Sequence, residues 1–410
     1  MRIVIAPDKF KGSLPAVEVA AALAAGLRGT GAELVTVPVA DGGDGTVDAA
    51  VAAGFTRVPV TATGPTGQPV ATAYARRDDL ALVELATVCG LERLPGGQLE
   101  PLISSSYGVG EVMRRALAAG ARELVLALGG SASTDGGAGM LQALGARVLG
   151  GRGEPLGPGG GALGAVTELD LTALVQSGLV QSGPVMSGPV MSGRDLSARD
   201  LSGPGMSGRE LSGPDPAATA QITLAADVQN PLTGPDGAAA VFGPQKGATP
   251  EQVARLDDAL RRWAGLVAGA TGRDWSQAPG AGAAGGVGFA ALAVLGAQQR
   301  SGIDLILDLV GFDAALAGAD LVITGEGSLD TQSLAGKAPV GVARAAARRG
   351  IPVVAVAGRS TLTTEQARAA GISAIHSLSA LEPDLARSMA GAAGLLERVA
   401  RDQLAPWSRT

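Results

Sequence analysis

The run ELVLAL, Glu123 to Leu128, leads into the stretch ALGGSASTDGGAGM, which begins at Ala127, ends at Met140 and carries five glycines. An apolar strand that passes through such a turn into a helix points to an α/β fold. It also brings backbone N–H groups and a helix start up to where an anion can sit. Glycine permits positive φ and close approach, Ser131, Ser133 and Thr134 add hydroxyl donors, and Asp135 places a carboxylate where magnesium could bridge to phosphate. Phosphate handling is the first expectation. A turn of this composition is purely structural about as often.

Four further segments share the character: APDKFKGSL (6–14), ADGGDGT (40–46), DVQNPLTGPDGAAAVFGPQKGA (227–248) and ITGEGSLDTQSLAGKAP (323–339). Each mixes glycine, carboxylates and hydroxyls, and all but ADGGDGT add lysine. At least three begin where an apolar run ends, and ligands of open α/β sheets bind at that carboxyl edge. Lysines there neutralise phosphate, while carboxylates hold magnesium or accept a hydroxyl proton.

Each candidate has a plainer reading beside the functional one. Lys9 and Lys11 suit a phosphate site, or form a solvated turn with Asp8. Asp41 and Asp44 suit magnesium or proton acceptance, and equally an Asx turn or helix cap. Asp227 ends an apolar strand, where a functional carboxylate is more natural than a loop one. Asn230 precedes a proline and fits a turn as well as a ligand contact, and Gln245 and Lys246 lie just ahead of a helix. Glu326, Asp330 and Lys337 follow the strand DLVIT. The expected catalytic groups are Asp44, Asp227 and Lys9. The expected substrate or phosphate contacts are Lys11, Ser131, Ser133, Thr134, Asn230, Gln245, Lys246, Glu326 and Lys337, and the candidate magnesium ligands are Asp41, Asp135 and Asp330.

Taken in order, the five segments resemble the bacterial glycerate kinases of the type I family. The resemblance covers most of the chain and implies ATP-dependent phosphorylation of D-glycerate to 2-phosphoglycerate, with magnesium, in the cleft of a two-domain α/β protein. A kinase of another small hydroxy acid, or a non-catalytic glycerate or nucleotide sensor, is the alternative. The residues themselves leave open whether the product is 2- or 3-phosphoglycerate.

Other classes are excluded or disfavoured. A net charge of −6 with 2% aromatic residues argues against nucleic-acid binding, which needs basic patches and stacking platforms. The single histidine, His376, rules out a Ser-His-Asp hydrolase, and the single cysteine, Cys89, rules out an internal disulfide. No GxxxxGK[ST] P-loop occurs, DKFKGS stands where a dinucleotide fold would carry its glycine fingerprint, and LGGSAS alone is too little for a galactokinase-type fold. The opening RIVIAP lacks a signal-peptide pattern, and apolar runs break before membrane-spanning length. The expectation is a soluble cytoplasmic protein whose partners are glycerate and ATP, with no nucleic acid and no membrane, and with a homodimer left open.

RIVIAP, a helical segment from Pro15 to Gly29, and ELVTVPV form a βαβ unit, and the alternating pattern returns after residue 300. The expected architecture is a Rossmann- or flavodoxin-like parallel-sheet domain, residues 1–62 and 300–410. A second, mixed α/β domain, residues 63–299, is inserted into it. Within the insert, residues 174–213 repeat every five, from LVQSG, LVQSG, PVMSG and PVMSG to RELSG. Its Ser, Gly and Pro content favours a mobile surface loop over a pentapeptide coil.

Overall fold

A computed structural model describes residues 1–180 and 220–409. Its strands, in chain order, are β1 (Arg2–Pro7), β2 (Glu33–Thr36), β3 (Thr56–Thr63), β4 (Pro69–Arg77), β5 (Leu80–Glu84), β6 (Glu123–Ala127) and β7 (Arg147–Gly150). They continue with β8 (Val166–Asp170), β9 (Gln221–Ala225), β10 (Gln298–Arg300), β11 (Leu321–Leu329), β12 (Val353–Ser360) and β13 (Ala374–Ser377). The fold is α/β. A five-stranded sheet runs in the order β13-β12-β11-β1-β2 and is parallel throughout.

The composition of β1 explains why it stands at the centre of that sheet. Every residue from Ile3 to Ala6 is fully buried, with Val4 and Ala6 facing one core and Ile3 and Ile5 the other. A parallel strand covered on both faces reads as one continuous apolar run. On the Ile3 and Ile5 side, the helix Ala16–Leu27 packs against the C-terminal helix Ala392–Val399. Contact is close at Gly26, where a Cβ would stand 2.2 Å from the Glu397 carbonyl oxygen.

The second sheet runs β10-β9-β6-β5-β4-β3. Its β10, β9, β6 and β5 are parallel neighbours, while β5, β4 and β3 pair antiparallel. The chain therefore leaves the first sheet after β2, builds the second, and re-enters the first at β11, beside β1. The expected boundaries at 62 and 299 fall inside β3 and β10, because ladder pairing ties both strands entirely to the second sheet. A small apolar cluster joins the two halves. Val47 and Ala50 of the helix Thr46–Ala52 and Leu305 and Ile306 of the helix Gly302–Leu309 pack on Leu82, Val125 and Ala225.

The pentapeptide array divides at the limit of the described residues. Residues 181–213 lie outside them. The first seven of the array do not form a loose loop: Leu174 sits fully buried on the helix Thr172–Gln176, and Leu179 is buried in the same core. The segment LDLTAL runs on into the array as a helix, so the first repeat inherits its apolar face. Leu174→Ala is expected to destabilise the protein by about 2–5 kcal/mol, the usual result of emptying a buried leucine site. Urea unfolding at fixed pH checks it.

Candidate active site

In the parallel sheet the chain proceeds from β1 to β2 on one side and from β11 through β12 to β13 on the other, so the topological switch lies between β1 and β11. At such a switch point the connections after the two strands run off in different directions, and a crevice opens at the carboxyl ends. A cavity of about 650 Å³ occupies it. Its walls come from the loop after β1 (Asp8, Lys9, Phe10, Lys11, Ser13), the loop after β2 (Asp41, Gly43, Asp44) and the ends of β11 and β12 (Glu326, Gly327, Ser328, Gly358, Arg359). Lys337 precedes the helix Ala338–Ala347, and Gly129 and Gly130 reach in from the second sheet.

Charge in this cavity centres on Asp8 and Lys9. Asp8 is 5% exposed, and burial pushes its carboxyl up to about 7, with Asp41 and Glu326 adding repulsion and Lys9 opposing. The Lys9 backbone N–H donates to Asp8 Oδ1 at 2.6 Å. Burial works against the Lys9 charge, yet Asp8, Asp41, Asp44 and Glu84 together hold its ammonium above the ordinary lysine value. Lys9 Nζ donates to the Asp44 carbonyl oxygen at 2.5 Å and lies 3.7 Å from Asp8 Oδ1 and 3.9 Å from Asp44 Oδ2. Glu326 is likewise raised, by burial first, while a hydrogen bond from Ser333 Oγ and the Lys337 charge hold it back. The cavity thus brings together expected residues Lys9, Lys11, Asp41, Asp44, Glu326 and Lys337.

Glu84, at the end of β5, was missed by sequence reasoning and builds the site from behind. It is 1% exposed, and its two carboxylate oxygens accept the Gly45 N–H at 3.1 Å and the Val47 N–H at 2.8 Å. Those amides open the helix that follows ADGGDG, so a strand of the second sheet anchors the loop carrying Asp41 and Asp44. Burial pushes Glu84 up to about 7 against those two hydrogen bonds. Asp8 and Arg359 were also passed over. Asp8 could have been found, because it stands first after β1, and so could Glu84, which closes the apolar run LALV as Asp227 closes QITLAA.

The other expected residues lie elsewhere, each for a visible reason. From Ser131 to Met140 the glycine-rich stretch is buried, and only Gly129 and Gly130 line the cavity. Asp135 does not line the cavity: its carboxylate accepts from Ser105 Oγ, from Ser106 N and Oγ, and from Gly137 N and Gly139 N. Lys246 is buried and donates to Ser131 Oγ and the Ser133 carbonyl, so neither it nor these serines contact the cavity, and burial pushes it down to about 7. The Ser133 and Thr134 hydroxyls are buried without a hydrogen bond. Asp227 accepts the Gly302 amide at 3.0 Å, at the start of the helix Gly302–Leu309, and faces a separate groove with Ser301, Asp304 and Arg344. Asn230 Nδ2 donates to the Asp236 carbonyl, Gln245 is exposed beyond the cavity wall, and Asp330 accepts from the Gln332 and Ser333 amides as a turn residue.

Sequence families settle what kind of protein carries this crevice. The model of the glycerate kinase family matches residues 3–180 and 206–408. The chain belongs to the glycerate kinase family. It is 40% identical over 407 residues to the glycerate kinase of Bacillus subtilis (strain 168), covering 98% of this chain and 96% of that protein. To the glycerate 2-kinase of Escherichia coli (strain K12) it is 38% identical over 385 residues, 92% of this chain and 90% of that one. A crystal structure described as glycerate kinase 2 of Salmonella typhimurium LT2 superposes with a TM-score of 0.77 at 39% identity, covering 100% of this chain and 98% of the other. The protein is an enzyme, a kinase. The family match leaves out residues 181–205, which lie inside the pentapeptide array, and no helix among the described residues is long and apolar enough to cross a membrane.

Of the buried groups with shifted values, three bear most directly on stability around neutral pH. Asp8 and Glu84, raised to about 7 from 3.8 and 4.5, stay protonated in the fold where the unfolded chain has ionised, so their contribution is lost as pH rises towards 7. Lys246, lowered to about 7 from 10.5, is neutral in the fold where the unfolded chain still binds a proton, so stability climbs with pH from 7 to 10.5. A stability minimum near neutrality is expected, with each group contributing a slope of about 1.4 kcal/mol per pH unit within its window. Urea midpoints at acid, neutral and alkaline pH test it: Asp8→Asn should flatten the acid limb and Lys246→Met the alkaline one.

Proposed function

We propose that this protein transfers the γ-phosphoryl group of ATP to the 2-hydroxyl of D-glycerate, with magnesium, giving 2-phosphoglycerate and ADP. The observation that carries the reading is Asp8, a buried carboxyl raised to about 7 and set beside a charged lysine at the switch point of the sheet. A general base works best with its pKa near the operating pH. Asp8 takes the proton from the glycerate hydroxyl, that oxygen bonds to the γ-phosphorus, and the bond from phosphorus to the departing ADP oxygen breaks. Lys9, Lys11 and Lys337 neutralise charge on the transferred group. The name of the Escherichia coli relative supports the choice of the 2-hydroxyl.

Asp41 and Glu326 present hard carboxylate oxygens to the same cavity, the donor type magnesium takes. No three acidic, histidine or cysteine side chains among the described residues already form a metal cage. That suits an ion bound through one or two carboxylates and completed by substrate phosphates. When bound, magnesium would bridge phosphate oxygens and offset their charge. We read the two sheets as two domains, exchanging near residues 55 and 301, with the crevice at their seam.

The decisive experiment supplies ATP, magnesium and D-glycerate and resolves the product into 2- and 3-phosphoglycerate. Magnesium-dependent ADP release with 2-phosphoglycerate is expected. Glycerol, which lacks the carboxylate, should show kcat/KM lower by about a hundredfold or more, because cations of the site are left unpaired. Equal use of glycerol would defeat the acid-kinase reading. Asp8→Asn keeps shape and removes the base, and should lower kcat by about a hundredfold or more, whereas Asp227→Asn should leave kcat within a few fold.

A further inference from the structure

The cavity has two chemically distinct ends. One carries Asp8, Lys9, Lys11, Asp41, Glu326 and Lys337; the other is a wall of Leu378, Pro383, Leu385, Met389 and Ala392, with Ser379, Glu382 and Ser388 set among them. We propose that this wall is the nucleobase subsite of the phosphoryl donor, an inference that rests on the ATP-kinase reading above. Leu385 is 63% exposed and Met389 37%, an unusual outlay of apolar surface for a helix of six residues, Leu385–Ala390. Isolated exposed apolar side chains need no explanation, but two on one short helix facing a cavity mark a ligand surface.

Size and connection identify the occupant. Glycerate alone would leave most of about 650 Å³ unfilled, whereas pockets of this scale take nucleotide-sized ligands. The wall is tied to the cationic loop: Ser13 Oγ donates to the Met389 carbonyl oxygen at 2.7 Å, and a Cβ on Gly12 would stand 3.1 Å from Met389 Cε. An apolar ring held against Leu385 and Met389 would therefore have its phosphates directed along the loop that presents Lys9 and Lys11. Phe10 also lines the cavity and packs with Leu378 and Ala392 but is only 3% exposed, so the base would be held by its faces mainly through apolar contact with Leu385 and Met389.

Calorimetric titration of the full-length protein with ATP and, separately, with inorganic tripolyphosphate tests the assignment, because tripolyphosphate keeps the charge and lacks the base. Leu385→Asp should weaken ATP binding by about tenfold or more while the Kd for tripolyphosphate stays within about twofold. The milder Leu385→Ala should shift ATP in the same direction by a smaller factor, which guards against a folding defect. Val241→Asp, at an exposed apolar site outside the cavity wall, should change neither. Unchanged ATP affinity in both Leu385 variants, or equal losses for ATP and tripolyphosphate, would overturn the subsite. Absence of ATP binding by the wild type would instead overturn the kinase reading on which it rests.

Discussion

The site exists because two backbones touch where no side chain fits. A Cβ on Gly129 would lie 2.4 Å from the Gly43 Cα, one on Gly42 would lie 2.9 Å from the Gly302 Cα, and one on Gly302 would lie 2.1 Å from the Asp41 carbonyl oxygen. Contacts that short leave no room for a methyl group, so glycine at these positions lets the loop after β2 lie directly on the second sheet. With the loops in contact, the Glu84 carboxylate reaches the Gly45 and Val47 amides, and Val47 and Ala50 reach the apolar face of the second sheet. Separating the loops would undo the backbone contact, the carboxylate anchor and the apolar seam together.

On that scaffold the charges balance one another. Buried carboxylates and ammonium groups are costly unless paired and hydrogen-bonded. Lys9 lies within 4 Å of Asp8 and Asp44, and its ammonium also bonds to the Asp44 carbonyl. Asp8 gains less from this than it loses by burial, which is why its proton is held so much more tightly than that of an exposed aspartate. A lysine and a carboxyl on adjacent residues thus differ in state: one keeps its charge, and the other holds its proton well above the ordinary aspartate range.

The second glycine-rich segment shows how composition alone can mislead. Hydroxyls, a carboxylate and glycines between Gly129 and Met140 are the chemistry of a phosphate loop, and they are equally the chemistry of a turn that must satisfy itself in a core. Trp263 Nε1 donates to the Gly136 carbonyl oxygen at 2.9 Å, Asp135 gathers hydrogen bonds from the Ser105–Ser106 turn, and Lys246 takes up Ser131 and Ser133. These partners lie up to 127 residues away in sequence, so no local pattern announces them.

What the sequence determined by itself is whatever depends on local order. The apolar run of β1, flanked by a helical segment that begins at a proline, already specifies a parallel strand and crossover, and the DKFK turn after it already places cations at a ligand-binding edge. The family itself was legible in five co-linear segments. Only the tertiary structure decided which of those segments share a cavity, because that depends on β11 docking beside β1 and on glycine contacts between residues far apart in the chain. It brought Glu326 and Lys337 to Lys9 and turned Asp135 and Lys246 inward, and it found work for Glu84. A side chain's chemistry is written in its own atoms, but its burial and charge partners are set by neighbours the chain supplies only once folded.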